Sequence, residues 1–248
     1  MSAYFETKYE ITEVLSDGYG RLHPAAILYF VQEAAGKHCV ELGVEDARLG
    51  GLFWAVLRYR VEVDRMPAVG ETVTVRTWPL PTTKVAFPRA AAGYDQQGNR
   101  LFRLISLWVL MDEKTRQMVL PGRSGVLVPG QELGEEIAVP AGLKAIPTEN
   151  MTARIVTELE IDKNRHMNNT RYLDWAMDLL PRDYVKNHRL KAFTACYFNE
   201  ARLDDELALC WTLENENQMY LDSYRITDDA VDKGDRVFSA RIEFEGIM

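Results

Sequence analysis

Only three cysteines occur in the 248-residue chain, Cys39, Cys196 and Cys210. An odd, sparse count without paired spacing excludes a disulfide framework and reads as free thiols in a reducing compartment. Long apolar runs are missing too: no stretch approaches the ~18 residues a membrane helix needs. The first ten residues carry Glu6, Lys8 and Glu10 and no apolar stretch, so no secretory signal is expected and the protein should be soluble and cytoplasmic. Positive charge is the minority, 29 Lys and Arg against 37 Asp and Glu, a net charge of −8. A nucleic-acid binder needs a basic face to meet phosphate, so this balance argues against one. The serine-hydrolase elbow G-x-S-x-G, the P-loop and G-x-G-x-x-G are all missing. Histidines are few, and His23, His38 and His188 stand isolated. No metal and no cofactor are expected.

Apolar residues, in contrast, make up 47% of the chain, enough for a large core without covalent staples. Residues 4–15 alternate apolar and polar, as a half-buried strand does. Pro24 opens an apolar helix, at the position where proline suits a helix start; its apolar character on nearly every side until Gln32 predicts burial all round. Strand patterns follow over 53–63, 71–78, 84–94 and 101–111, the last two joined by a turn at 95–99. Residues 121–150 hold Pro121, Pro129, Pro140 and Pro147 with five glycines and read as a linker. The first pattern then returns: a strand over 154–161, a polar turn over 162–168, a helix capped by Asn168 or Asn169 and stopped by Pro181, and strands over 192–200, 206–213, 218–226 and 236–245, the last two joined by 228–235. One helix followed by antiparallel strands, twice, predicts an α+β protein of two units, 1–120 and 151–248, each a sheet curled around a helix.

Chemistry concentrates in the second polar turn, Asp162-Lys-Asn164-Arg-His166-Met-Asn168-Asn169. Were this segment extended, Asp162, Asn164 and His166 would share one side. A carboxylate can orient an imidazole or polarise water, an imidazole moves protons near neutral pH, and an amide or helix-start N–H groups can hold an oxyanion. Equally, Asp and Asn are ordinary turn and cap residues. A calcium loop is excluded: counted from Asp162, Met167 stands where glycine is needed and Leu173 where glutamate is needed. Glu200 ends a predicted strand, where the bland alternative is a solvated rim residue.

Three segments together resemble the acyl-acyl-carrier-protein thioesterases of plant plastids and bacteria: Trp54 through Trp78, Ser106-Leu-Trp108 through Arg116 to Pro121, and Asp162-x-Asn164-x-His166-x-Asn168-Asn169 with Tyr172 and Trp175. The resemblance runs over about residues 4–245. It implies a double hotdog, two curved antiparallel sheets each wrapped around a long helix and joined by a linker, in a monomer with an internal pseudo-dimer or in a homodimer. It implies hydrolysis of fatty acyl-carrier thioesters, with acyl carrier protein as partner, the acyl chain in an apolar tunnel of the N-terminal unit, and the family's catalytic Asp, Asn, His and further acid at Asp162, Asn164, His166 and Glu200. Plant members commonly carry a cysteine after that glutamate; here Ala201 follows, so attack by water is implied rather than by a thiol. The missing plant transit peptide fits a bacterial cytoplasmic form. The alternatives are an acyl-CoA thioesterase of the same fold and a non-catalytic acyl-binding protein. Because carrier proteins are acidic and so is this chain, docking calls for a local basic patch, for which Lys163, Arg165, Arg171, Lys186, Arg189 and Lys191 are candidates.

Overall fold

The computed structural model describes residues 4–227 and 230–247. The chain forms two compact units, 1–140 and 141–248. In unit 1, β1 (Phe5–Glu10) precedes α1 (Pro24–Leu42), which is followed by β2 (Leu52–Val63), β3 (Thr72–Pro79), β4 (Phe87–Tyr94), β5 (Arg100–Asp112) and the two-residue β6 (Met118–Val119). These strands lie antiparallel in the order β1-β3-β4-β5-β2, with β6 against the end of β5.

Helix α1 starts at Pro24 and stops where Gly43, at φ 70°, returns its N–H to the Cys39 and Val40 carbonyls, a left-handed cap that glycine takes without strain. Ala25 to Leu28, Phe30, Val31, Ala34 and Ala35 are buried against the sheet, and Tyr9 of β1 stacks on Phe30 at 4.2 Å. The helix is not buried all round as expected, since Tyr29 and Val40 are about half exposed. Strand β4 carries Ala90-Ala91-Ala92-Gly93, all buried, so both of its faces are covered at close range. Gly93 pairs with Phe102 of β5, whose ring folds over it: a Cβ there would lie 2.4 Å from two ring carbons. Gly93→Ala should therefore cost about 1–3 kcal/mol through overpacking, read as a fall in the urea midpoint, and trimming the ring with Phe102→Leu in the same chain should recover part of it.

The core of unit 1 also holds a buried guanidinium. Arg89 Nη1 donates to Thr77 Oγ1 at 3.2 Å and contacts His38 Nδ1 at 3.3 Å, and all three residues are buried. Accepting from an arginine requires a neutral imidazole with its proton on Nε2. Burial, then the charge of Arg89, pushes the His38 pKa down to about 4, from about 6.5. Between those values the unfolded chain binds the extra proton and the folded chain does not, so stability rises with pH across that window. Urea midpoints should climb from about pH 4.5 to 6.5, and His38→Gln should flatten that climb; an unchanged slope in the variant would reject the account.

Residues 121–140 group with unit 1 and 141–150 with unit 2. Glu136 accepts Trp78 Nε1–H at 2.9 Å, and Ile137 packs on a cluster of Trp78, Leu80, Ala90, Ala92 and Ile105.

Unit 2 contains β7 (Asn150–Ile155), α3 (Arg171–Asp178), α4 (Arg182–Asn187), β8 (His188–Tyr197), β9 (Glu206–Glu214), β10 (Gln218–Thr227) and β11 (Ala230–Gly246); the one-turn α2 (Pro121–Ser124) belongs to unit 1. Its antiparallel sheet runs β7-β9-β10-β11-β8. Counting strands within each unit, both sheets have the order 1-3-4-5-2, a structural repeat that sequence identity does not display. The second helix departs from expectation. It is eight residues, not a long helix, because Leu180 precedes Pro181 and a residue before proline is pushed out of the helical region. Thr170 takes the N-cap place, and Asn168 Oδ1 accepts the Thr170 N–H and hydroxyl, both at 3.0 Å. The connection from β10 to β11 is shorter than the expected 228–235, and its Asp228 and Asp229 lie outside the described residues.

Candidate active site

The polar turn of unit 2 is closed rather than extended. A bridge between Ile161 and Met167 pins its ends, Asp162 N–H donates to the His166 carbonyl at 2.9 Å, and Arg165 sits at φ 63° at the reversal. The Asp162 carboxylate turns inward: its Oδ1 accepts the Asn164 N–H at 2.8 Å and the His166 N–H at 3.4 Å. The alternation that would align Asp162, Asn164 and His166 is therefore not formed, because local carboxylate-to-backbone bonds compete successfully with extended structure. Asn164 lies exposed at the tip.

What brings His166 and Glu200 together is a contact from the loop after β8, which ends at Tyr197, so Glu200 lies three residues past the strand rather than at its end as expected. Met167 N–H donates to the Ala201 carbonyl at 2.8 Å, drawing the turn onto that loop. Beside that bond, His166 Nε2 meets Glu200 Oε2 at 2.9 Å, with the imidazole 15% and the carboxylate 36% exposed. A carboxylate that accepts from Nε2 fixes the ring and leaves Nδ1 with acceptor character in the neutral tautomer. Glu200 is held in turn by its carbonyl, which accepts Arg225 Nη2–H at 2.8 Å. Arg225 itself pairs with Asp205 and, at 2.6 Å, with Asp235. Arg225 and its two acids were not found from sequence: three charges far apart along the chain carry no local signal. Glu160 was missed as well. It accepts Trp175 Nε1–H, and its carbonyl takes the Asn168 N–H at 2.8 Å, so it couples the turn to α3. A Thr157–Glu160 capping box, readable as T-x-x-E, was the available sign.

The helix start offers fewer oxyanion donors than expected, since Asn168 already engages the N–H groups of Thr170 and Arg171. Ala201 is fully buried and offers no nucleophile. The arrangement can orient and deprotonate a water molecule beside an acceptor group. Among the described residues no cluster of three His, Cys, Asp or Glu side chains is disposed to hold a metal, and no helix is long and apolar enough to cross a membrane.

The acyl-ACP thioesterase N-terminal domain family matches residues 2–120, and the acyl-ACP thioesterase C-terminal domain family matches residues 144–246. A palmitoyl-acyl carrier protein thioesterase of Gossypium hirsutum is 27% identical over 226 residues, covering 84% of this chain and 52% of its own length. A dodecanoyl-[acyl-carrier-protein] hydrolase of Cinnamomum camphora is 28% identical over 199 residues, covering 73% and 52%. The chain thus spans about half the length of the curated relatives it matches. Among solved structures, an acyl-ACP thioesterase from Bacteroides thetaiotaomicron superposes with a TM-score of 0.88 at 24% identity over 99% of this chain and 100% of that one. A 12:0-ACP thioesterase from Umbellularia californica gives 0.82 at 23% identity over 100% and 99%. At those identities the likeness is one of fold, and the α+β hotdog class expected from the sequence is the one found.

Proposed function

The chain belongs to the acyl-ACP thioesterase family, and on that premise we propose that it hydrolyses the thioester joining a fatty acyl chain to the phosphopantetheine arm of acyl carrier protein. The observation that carries the reading is the 2.9 Å contact between His166 and Glu200, two residues distant in sequence that the fold makes a pair. Water, deprotonated by this pair, attacks the carbonyl carbon; the carbon–oxygen bond forms, the carbon–sulfur bond breaks, and the released thiolate recovers a proton as carboxylic acid leaves. Asn164, exposed at the tip of the turn, donates to the developing oxyanion, and Asp162 holds the turn by accepting the Asn164 and His166 N–H groups. Carrier protein is the partner in this reading, and the cytoplasm is its place of action, in keeping with three unbridged cysteines.

Incubating the protein with a ladder of saturated acyl-carrier thioesters, and with the matching acyl-CoA esters, tests the proposal. Free fatty acid and carrier thiol should appear in equal amounts, faster from the carrier than from CoA, with a peak at one chain length. No product from any carrier thioester would sink the proposal, and faster turnover of every CoA ester would reassign the donor.

A further inference from the structure

Each unit leaves one strand at an open edge, β1 in unit 1 and β7 in unit 2, and among the described residues each pairs with one neighbour, β3 and β9 respectively. The two edges share one hydrogen-bond phase. Ile11 N–H donates to the Glu71 carbonyl at 2.8 Å and its carbonyl accepts the Gly70 N–H at 2.9 Å; Val156 N–H donates to the Asp205 carbonyl at 2.9 Å and its carbonyl accepts the Asp204 N–H at 3.0 Å. Both residues thus turn their backbone groups toward the neighbouring strand. Successive residues of an antiparallel strand alternate in this respect. Glu6, Lys8 and Glu10 therefore present their N–H and C=O groups to the open side of β1, and Met151, Ala153 and Ile155 present theirs to the open side of β7.

The side chains at these matching positions differ in kind. On β1 all three are charged and exposed, the usual device that keeps an edge from pairing with another chain. On β7 none is charged: Met151 is 61% and Ile155 56% exposed, with Ala153 exposed between them. Nothing else blunts this edge, since β7 holds no proline and its register with β9 runs without a bulge from Asn150 to Ile155. The three side chains lie on the sheet face away from α3, because Arg154, on the opposite face, sets its guanidinium over the Trp175 ring of α3.

We propose that β7 pairs with β7 of a second copy of this chain, antiparallel about a two-fold axis at Ala153. The edge complements itself in this register. Ala153 meets Ala153 of the second copy and Met151 meets Ile155, so apolar side chains share one face. These are also the residues whose N–H and C=O groups point outward, so each exchanges both bonds with its partner. On the other face Thr152 falls opposite Arg154, and beyond the strand Glu149 falls opposite Thr157. No like charges are opposed, which matters for self-association of a chain with net charge −8. The contact is small, so the dimer is a reversible one that forms as concentration rises.

Sedimentation equilibrium of the full chain over a wide concentration range tests the pairing. The wild type should pass from monomer to dimer. M151K/I155K sets like charges face to face in the two-fold register and should weaken association by about tenfold or more. M151E/I155K changes the same two exposed positions but sets opposite charges face to face, so it should associate far better than M151K/I155K and lose that advantage as salt is raised. A second measurement uses the wild type alone: amide exchange at Met151, Ala153 and Ile155 should slow as dimer forms, while Glu6, Lys8 and Glu10 keep their rates. A wild type that stays monomeric at every concentration, as it would if the edge took a strand from another protein, overturns the proposal. So does a dimer that M151K/I155K leaves intact, equal loss in both double variants, or exchange at the three β7 amides that ignores concentration.

Discussion

His166→Ala should lower kcat on the preferred acyl-carrier thioester by about 10²-fold or more, and Glu200→Gln should do the same, the loss typical of a missing general acid or base. The two act through one 2.9 Å contact, so the double variant should be hardly slower than either single one. Additive losses would show that they serve separate steps. Asp162 is a different case, because its Oδ1 holds two backbone N–H groups of the turn. Asp162→Asn keeps that acceptor and removes the charge, whereas Asp162→Ala removes both. A rate lost in both variants makes the charge catalytic; a rate lost only in Asp162→Ala makes the residue a positioning one. Parental rates in His166→Ala and Glu200→Gln together would end the site assignment.

The largest stability effect is expected at Phe238. It is fully buried in β11, stacks on Tyr172 of α3 at 4.8 Å and meets Tyr197 of β8 at 5.2 Å. Phe238→Ala should cost about 3–5 kcal/mol, the sum of lost transfer energy and the cavity left behind, read from the urea midpoint of unit 2. Phe238→Leu should cost markedly less. The same residue supports the site, because Tyr197 Oη donates to the Asn169 carbonyl at the end of the polar turn, at 2.8 Å. A purified Phe238→Ala chain that still folds should therefore show a lower kcat as well as a lower midpoint. A cost below about 1 kcal/mol would mean that α3 is not anchored by this stack.

Composition and periodicity decided much of this protein. Alternation over 4–15 places β1, although the strand ends at Glu10 and a 3-10 turn follows at 13–15, the patterns over 53–63, 71–78, 84–94 and 101–111 place β2 to β5, and Pro24 marks the start of α1. The order of elements announced two similar units; His166 stood out by residue type within its turn, and Glu200 only through the family resemblance. Tertiary structure decided what local pattern could not. Whether Asp162, Asn164 and His166 align depends on where the Asp162 carboxylate finds donors, and it finds them in its own turn. The start of the second helix also differs from its local signal: Thr170 takes the N-cap, because the Asn168 side chain is spent on the Thr170 N–H and hydroxyl. The pairing of His166 with Glu200 and the Arg225 clamp join residues that lie far apart along the chain, in the polar turn, the loop after β8, β10 and β11. Sequence encodes each residue's chemistry and its neighbours along the chain; which charges become partners across strands is decided only when the sheet closes on its register.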